Sequence, residues 1–330
     1  MANINEKNKI YVLCPPKIKT GGTELLHQLV YKLNGIGKES FLVYTTKNKT
    51  EECTPNDFKK YINNYKYIDE IEDEKENTIV VPETYIEYIK NIKNAQKMVW
   101  WLSVDNYIKR YSVFYNIKNG FYRIAFNNIF SGRIFLKNIF KKYDYHLCQS
   151  HYAINFLKKY KIENNVMYLS DYINKTYLTL KFNIDNKENI VLYNPKKGIK
   201  YTNRIRKLFN EDIKWLPIEN MTTEQVKETL LKSKVYIDFG HHPGKDRFPR
   251  EAAMCGCCVI TGKKGSAAFW DDVPIETKFD DKTDLNVIRE KIEDCIYNYE
   301  KNIHNYDKYR EMILNEEKKF EEDIIKIFRG

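Results

Sequence analysis

The sequence predicts an α/β protein made of two doubly wound, Rossmann-like domains, and three observations support this class. Short apolar, β-branched runs alternate with amphipathic helical patterns, as expected for parallel sheets covered by helices. The alternation begins afresh near residue 189. A length of 330 residues suits two domains of ordinary size.

In the first half, each apolar run is bounded by polar or glycine-containing turns, which favours buried strands. A helix with a leucine-rich face follows the first strand and closes at Gly35 and Gly37. Another helix begins near Ser150. The predicted strands are Lys9–Cys14, Ser40–Thr45, Thr78–Pro82, Lys97–Leu102, Asp144–Gln149 and Val166–Leu169.

The second half repeats this pattern. A helix is expected after a cap at Thr222 or Thr223, and residues 285–328 are charged with helical periodicity. The predicted domains are 1–172 and 189–310, with a linker at 173–188 and a final helix at 311–330. The predicted strands are Asn189–Asn194, Ile213–Leu216, Val235–Phe239 and Cys257–Thr261.

The most informative segment runs from residue 238 to 262 and is read as strand, loop, short helix and strand. Pro249 fits the first turn of the helix, where a missing N–H costs nothing, and Gly256 ends it. Glu251 is therefore expected in the first turn, at the carboxyl edge of a parallel sheet. A carboxylate there can accept two hydrogen bonds from a ribose diol.

This segment, Arg-Glu-Ala-Ala-Met-Cys-Gly at 250–256, resembles the C-terminal-domain signature of GT-B glycosyltransferases. The resemblance implies two Rossmann-like domains facing across a cleft, with the final helix returning to the first domain. It also implies transfer of a sugar from a nucleotide diphosphate sugar. The retaining branch has a second glutamate eight positions upstream, where this chain has Pro243. Retention and inversion therefore both stay open.

Two lysines follow the first strand of the second half, at Asn194-Pro-Lys196-Lys197-Gly198. Such a pair can neutralise a diphosphate. In GT-B families a basic pair at this place stabilises the leaving nucleotide diphosphate in place of a metal, so the resemblance implies no metal cofactor. The alternative is a solvated loop.

Further donor contacts are expected around this centre. Gly21 and Gly22 precede a helix whose N-terminus favours anions, although a structural glycine turn is the alternative. By resemblance, the Gly-Gly-x-Glu loop faces the donor phosphate and the acceptor, and Pro217 and Ile218 bind the base through backbone groups. The other candidates, for sugar or phosphate, are His242, Arg247, Arg250, Gly265 and Ser266.

A general base must reach the acceptor hydroxyl. Asp105 follows a strand of the first half and is the candidate if the enzyme inverts, with helix capping as its structural alternative. Glu24 and His146 are further candidates, but His146 lies within a strand pattern that suits a core histidine.

The formal net charge of +10 is concentrated between residues 109 and 161, which hold eleven basic residues and one acid. Aromatic residues interleave with these charges, which suits an anionic membrane surface or a lipid-linked diphosphate sugar. A solvated face beside a buried aromatic face is the alternative, and no pattern supports nucleic-acid binding. The aromatic positions are Phe114, Phe121, Tyr122, Phe126, Phe130, Phe135 and Phe140.

The remaining bulk features favour a cytoplasmic protein. The basic and aromatic segment adds a peripheral position on the inner membrane, and the resemblance implies a bacterial setting. There is no run of roughly eighteen apolar residues, and the first residues lack a signal-peptide core. The seven cysteines show no metal-ligand spacing, which favours reduced, buried thiols.

The resemblance and these features together predict a glycosyltransferase acting on a glycan or lipid-linked glycan in capsule or lipooligosaccharide synthesis. A GT-B-shaped epimerase, a phosphoryl-group transferase and a non-catalytic nucleotide- or glycan-binding module are the alternatives.

Overall fold

The structure is a computed structural model that describes residues 8–50, 52–62, 64–131, 140, 142–209 and 212–328. The chain divides into two compact units. Unit 1 comprises residues 1–171 and 318–330, and unit 2 comprises residues 172–317.

Unit 1 contains a parallel sheet in the order β3-β2-β1-β4-β5-β6-β7. This extends the strand order of a dinucleotide-binding Rossmann sheet, with the order reversing between β1 and β4. The six predicted strands are present, and β3 was not predicted because its tyrosines alternate with a lysine and are only half-buried. The strands are Ile10–Cys14 (β1), Ser40–Tyr44 (β2), Tyr65–Tyr67 (β3), Thr78–Pro82 (β4), Gln96–Trp101 (β5), Tyr145–Cys148 (β6) and Val166–Tyr168 (β7).

The helices of unit 1 cover this sheet. Thr20 caps the first helix by accepting a hydrogen bond from the Thr23 amide, and Thr23 returns the contact in a capping box. Short 3-10 helices span Asn56–Tyr61, Ile68–Glu70 and Ile86–Ile89. The α-helices are Gly21–Gly35 (α1), Val104–Tyr111 (α2), Val113–Lys118 (α3), Tyr122–Phe130 (α4) and His151–Lys159 (α5).

Unit 2 contains a second parallel sheet, in the order β12-β11-β10-β8-β9. Counted from β8, this is the flavodoxin-like order 2-1-3-4-5, which reverses between its first and third strands. The reversal therefore falls between β8 and β10. The strands are Glu188–Tyr193 (β8), Lys214–Pro217 (β9), Ser233–Asp238 (β10), Cys258–Gly262 (β11) and Lys278–Phe279 (β12).

The helices of unit 2 pack around an apolar core that includes Val235, Ile237, Val259 and Ile260. Thr222, rather than Thr223, caps the helix after β9, in a capping box with Gln225. The α-helices are Lys175–Leu178 (α6), Ile199–Arg206 (α7), Thr223–Lys232 (α8), Arg247–Met254 (α9), Leu285–Tyr297 (α10), Tyr299–Asn302 (α11) and Asp307–Phe328 (α12).

Residues 173–188, which the sequence predicts as a linker, pack within unit 2. Ile173 and Tyr177 belong to its core. The buried Lys187 ammonium donates to the carbonyls of Leu230, Ser233 and Cys255 at 2.7 to 3.1 Å. The polar appearance of this segment conceals a lysine that satisfies backbone carbonyls next to the ends of α8 and α9.

The last helix serves both units. Residues 307–317 of α12 belong to unit 2 and residues 318–328 to unit 1. Phe320 is fully buried and stacks on Trp100 with ring centroids 6.2 Å apart. Asp323 accepts a hydrogen bond from the Ser170 amide at 3.1 Å. None of the helices among the described residues combines the length and apolarity needed to span a bilayer.

Adjacent isoleucines in α12 provide a matched test of this packing, since Ile324 is fully buried and Ile325 is 40% exposed. We expect Ile324→Ala to lower the free energy of unfolding by about 2–5 kcal/mol through lost burial and a cavity. The control Ile325→Ala should cost clearly less, because its side chain already meets water. Urea denaturation measures both, and equal losses would contradict the proposed packing of this segment.

Candidate functional site

Three loops of unit 2 meet at the carboxyl edge of its sheet. They follow β8, β10 and β11, which are neighbours in the sheet. Because β8 and β10 flank the reversal of strand order, their loops border the crevice where open α/β sheets bind ligands. The loops span residues 194–198, 239–246 and 263–266.

Glycines bring these loops into backbone contact. Gly198 has φ +62°, and a Cβ there would lie 2.7 Å from the amide nitrogen of Gly240. A Cβ on Gly240 would in turn collide with the Lys197 side chain, and one on Gly265 (φ +61°) with the carbonyl oxygen of His242. Any larger residue would push the loops apart.

Hydrogen bonds join the second and third loops. The Ser266 amide donates to the His242 carbonyl at 2.9 Å, and the Ser266 hydroxyl donates to the Gly244 carbonyl at 2.6 Å. Ser266 is fully buried. The Ser266 amide, which was predicted to contact the sugar donor, is therefore already bonded to a backbone carbonyl, and we leave Ser266 out of the proposed donor site. We retain Gly265, because it permits the close approach of this loop to the His242 carbonyl.

A buried charge cluster lies beneath these loops. The His242 Nε2 lies 3.5 Å from Asp238 Oδ1, and its Nδ1 lies 3.7 Å from Asp246 Oδ2. The Asp246 carboxylate also pairs with the Lys197 ammonium. The side chain of His242 is 0% exposed and that of Lys197 is 30% exposed. The imidazole and the ammonium group thus alternate with two carboxylates from the interior toward solvent.

The cluster shifts the ionisation of its members. Burial opposes the charged imidazole, but the close contact and charge of Asp238, with the charge of Asp246, outweigh it and raise the pKa of His242. Burial also opposes ionisation of Asp238, yet the His242 contact and the charge of Lys197 lower the pKa of its carboxyl. Asp238 further accepts hydrogen bonds from the Gly240 amide and the Tyr236 hydroxyl.

The same atoms have the ligand types of a metal site. Asp238, His242 and Asp246 each place one ligand atom within 4.8 Å of the others, so the third ligand that the sequence did not reveal is present. However, Lys197 pairs with Asp246, and two donors engage Asp238. Hydrogen-bond donors therefore already contact oxygens of both carboxylates, and a metal would have to displace Lys197. The cluster is best described as an ion-pair network.

Glu251 lies in α9 and is 8% exposed. The expectation that it occupies the first helical turn was wrong: α9 begins at Arg247, so Pro249 is its third residue and Glu251 starts the second turn. Burial, followed by the charge of Glu251, raises the pKa of the nearby Tyr177 hydroxyl. Arg247 is half-buried at the start of the same helix.

Arg250 has a structural environment. Its guanidinium is 1% exposed and donates to Glu316 Oε2 at 2.7 Å, while Lys245 Nζ donates to Glu316 Oε1 at 2.8 Å. It also donates to the Lys245 carbonyl at 3.0 Å. These contacts occupy the guanidinium face that a phosphate would need. We therefore leave Arg250 out of the proposed donor site and assign it to anchoring α12.

The two lysines of the loop after β8 are more accessible to solvent than Arg250 is. The Asn194 side chain is buried and accepts a hydrogen bond from the Lys196 amide at 3.0 Å, which fixes the turn. Lys196 is exposed and Lys197 is half-buried. At β9, the Ile218 amide donates to the Tyr193 carbonyl at 2.8 Å, so base recognition at Pro217 and Ile218 would fall to their carbonyl groups.

In unit 1, the predicted residues lie at the start of two helices. Gly21 and Gly22 open α1, and Glu24, in its first turn, accepts a hydrogen bond from the Tyr61 hydroxyl at 2.9 Å. Asp105 lies in the first turn of α2 and accepts from the Tyr152 hydroxyl at 3.4 Å. Ser103, rather than Asp105, caps this helix.

His146 is a core residue, as its strand pattern suggested. It is 2% exposed, and its Nδ1 accepts a hydrogen bond from the Trp101 indole at 3.1 Å. Burial lowers the pKa of His146 to about 4, with a backbone contact to Phe140 acting weakly against it. A general base must reach the acceptor hydroxyl, and a neutral, buried imidazole that is bonded to an indole does not fit that role.

Sequence reasoning missed Glu83, which directly follows β4 at the reversal of the unit 1 sheet. It is 2% exposed, and its Oε2 accepts from the Leu102 amide at 2.9 Å. Burial raises the pKa of Glu83 to about 7, although backbone hydrogen bonds act against this. The available signal in the sequence was an acidic residue immediately after an apolar strand, at the edge where such sheets bind ligands. Its contact shows that it holds the β5–α2 turn.

A cavity of about 880 Å³ lies elsewhere in unit 1. It borders the end of α1 and the beginning of β2, with Tyr31, Tyr61 and Ile325 among its lining residues. None of the predicted site residues lines it. The amino end of a parallel strand is the edge opposite to the one where open α/β sheets bind ligands.

Comparison with known proteins adds evidence from structure alone. Neither a protein family nor a curated protein matched the chain by sequence. The structure of TarM is similar over 98% of this chain and 99% of that chain, with 11% identity and a TM-score of 0.70. Sucrose-phosphate synthase from Thermosynechococcus elongatus matches over 98% of both chains, with 14% identity and a TM-score of 0.68.

HepE from Anabaena, solved in complex with UDP and glucose, matches over 98% of this chain and 100% of that chain, with 10% identity and a TM-score of 0.59. These neighbours are GT-B glycosyltransferases. Identities of this size establish the fold. The chain therefore has the GT-B fold, and the fold predicted from the sequence is confirmed.

The buried cluster predicts a pH dependence of stability. The pKa of His242 is raised in the folded protein. Its ion pairs therefore contribute fully to the free energy of unfolding below the unfolded pKa of about 6.5, and this contribution is lost as pH rises through the folded pKa. We expect His242→Gln to remove this part of the pH dependence and to destabilise the protein below that value by about 3–5 kcal/mol.

Denaturation midpoints measured between about pH 5 and 9 test this. The matched control is His241→Gln, since His241 is the exposed neighbour in the same loop. A His242→Gln profile parallel to that of the control would contradict the assigned ion pair.

Proposed function

We propose that the protein is a glycosyltransferase that moves a sugar from a nucleotide diphosphate sugar to a hydroxyl of a glycan or lipid-linked glycan. One observation carries the proposal. In a chain with the GT-B fold along its length, a lysine loop and a buried glutamate adjoin the strand-order reversal of the second sheet. That crevice is where such sheets bind nucleotides.

The donor would lie along this edge with its charge matched by the protein. Lys196 is exposed and Lys197 has 30% of its side chain exposed, so their ammonium groups are accessible to a diphosphate. Asp246 holds Lys197 in position before the donor arrives. Preorganised cations stabilise the charge that develops on a leaving diphosphate, without a metal. UDP and glucose in the similar HepE structure support a nucleotide-sugar donor.

Glu251 would accept hydrogen bonds from the ribose diol. It follows Arg247 by one helical turn in α9, and Arg247 would contact a phosphate. His242, buried beneath the loops, would act by fixing Lys197 through Asp246 rather than by touching the sugar. Gly21 and Gly22 would present the start of α1 to the donor phosphate or the acceptor.

Two carboxylates are candidates for the general base that would deprotonate the acceptor hydroxyl. If the enzyme inverts, Asp105 is our candidate general base, with Glu24 as the second candidate. Pro243 stands where retaining relatives of the signature have a glutamate, so the product's anomeric configuration decides the mechanism. We place the reaction in bacterial capsule or lipooligosaccharide synthesis, at the cytoplasmic face of the inner membrane.

The ribose contact is tested with the isosteric variant Glu251→Gln. It should weaken UDP binding by about tenfold or more, because hydrogen bonds to a charged group are stronger than neutral ones. Calorimetry with UDP and a panel of nucleoside diphosphates measures the affinity. Glu224→Gln is the control, since that glutamate has 64% of its side chain exposed. Equal affinity of both variants for the best nucleotide would refute the ribose role.

The lysine pair is tested by the double variant Lys196→Ala with Lys197→Ala. Turnover should fall about 10²–10³-fold, as for the loss of other preorganised charge-stabilising groups. Lys200→Ala, an exposed lysine in α7, is the control. Release of nucleoside diphosphate from a panel of nucleotide sugars provides the rate, and analysis of the sugar product separates transfer from epimerisation or phosphoryl transfer. A rate equal to that of the control would remove the pair from the mechanism.

A further inference from the structure

Exposed apolar side chains are concentrated on α3, α4 and the turn between them, residues 113–130, which we call the aromatic hairpin. Phe114 is 79% exposed and Phe130 is 81% exposed. The Phe126 and Phe130 rings lie 5.6 Å apart and form one apolar ridge. Large apolar residues that are at least 40% exposed here are Phe114, Ile117, Phe121, Tyr122, Ile124, Phe126, Ile129 and Phe130.

The hairpin differs from an ordinary amphipathic helix, because two of its asparagine side chains face the interior while most of its large apolar side chains are exposed. Asn116 is fully buried and donates to the Ser112 carbonyl at 2.8 Å. Asn128 is 3% exposed and donates to the Arg110 carbonyl at 2.9 Å. These contacts pair the buried side-chain N–H groups and fix the orientation of both asparagines, so the outward aromatic face is built into the local structure.

The charge carried by the hairpin and its neighbours in sequence has one sign, although Arg110 also pairs with Glu87 at 3.8 Å. Residues 106–143 contain no aspartate or glutamate. Lys118 and Arg123 lie exposed within the hairpin, and Lys109 and Arg110 precede it. Basic side chains around an apolar face match the phosphates and acyl boundary of an anionic leaflet. A second copy of the same face would bring like charges together.

We propose that the aromatic hairpin docks the protein on an anionic lipid bilayer, with its phenylalanines in the acyl boundary and its basic residues on the phosphates. This deepens the proposed function, on which it rests only for its biological setting, since a bilayer carries lipid-linked acceptors. Within the described part of the predicted basic and aromatic segment 109–161, the hairpin carries the exposed aromatic residues. Phe140 is buried, and Phe135 lies outside the described residues.

The test is flotation of the full chain with vesicles of phosphatidylcholine mixed with phosphatidylglycerol. The wild type should float with these vesicles, and added salt should reduce the bound fraction because the lipid attraction is partly electrostatic. The triple variant Phe114→Ser, Phe126→Ser and Phe130→Ser should bind at least about tenfold more weakly. Flotation needs no sugar transfer, so its failure is distinct from failure of the proposed activity.

The matched control is Tyr297→Ser with Leu314→Ser, which removes apolar residues of 61% and 51% exposure from unit 2. It should float like the wild type, and unchanged melting temperatures will show that both variants fold. A wild type that stays with the lipid-free fractions, or a triple variant that floats like the control, would overturn the proposal. So would a lipid-free dimer that the triple variant abolishes, since the hairpin would then join two copies.

Discussion

The candidate site depends on the absence of side chains at three loop positions. Gly198, Gly240 and Gly265 let the loops after β8, β10 and β11 touch through their backbones, where any Cβ would force them apart. This contact brings Lys197 to the edge of the sheet above His242. The buried imidazole then links two carboxylates, and the outer one orients the lysine. The position of the Lys197 ammonium, which we propose to face the donor, thus depends on close backbone packing at three glycines.

The alternation of buried strands and amphipathic helices predicted both sheets, because buried parallel strands leave an apolar signature that needs no tertiary information. β3 escaped because an edge strand is only half-buried, and residues 173–188 looked like a linker because Lys187 is buried against carbonyl groups rather than solvated. A single sequence shows residue types, but it does not show which polar groups find partners inside.

The positions of the candidate residues in the fold were predictable to a similar extent. Strand ends drew attention to Lys196, Lys197 and Glu251, since loops after parallel strands converge on one edge. The sequence did not show which residues pair in the folded chain. Glu316, far along the chain, forms an ion pair with Arg250, and His242 lies between Asp238 and Asp246. The i, i+4 spacing of Asp238, His242 and Asp246 was the available clue, although it lies mostly in a loop where helical periodicity does not apply.

The passage of α12 between the units has a consequence for synthesis on the ribosome. Phe320 and Asp323 complete the packing around Trp100 and Ser170, yet they follow all of unit 2 in the chain. The nascent amino-terminal half therefore lacks the Phe320 ring over Trp100 and the Asp323 partner of Ser170 until translation has passed residue 323. A chain that ends before residue 320 would lack this cover, and apolar surface exposed during synthesis is a general cause of misfolding.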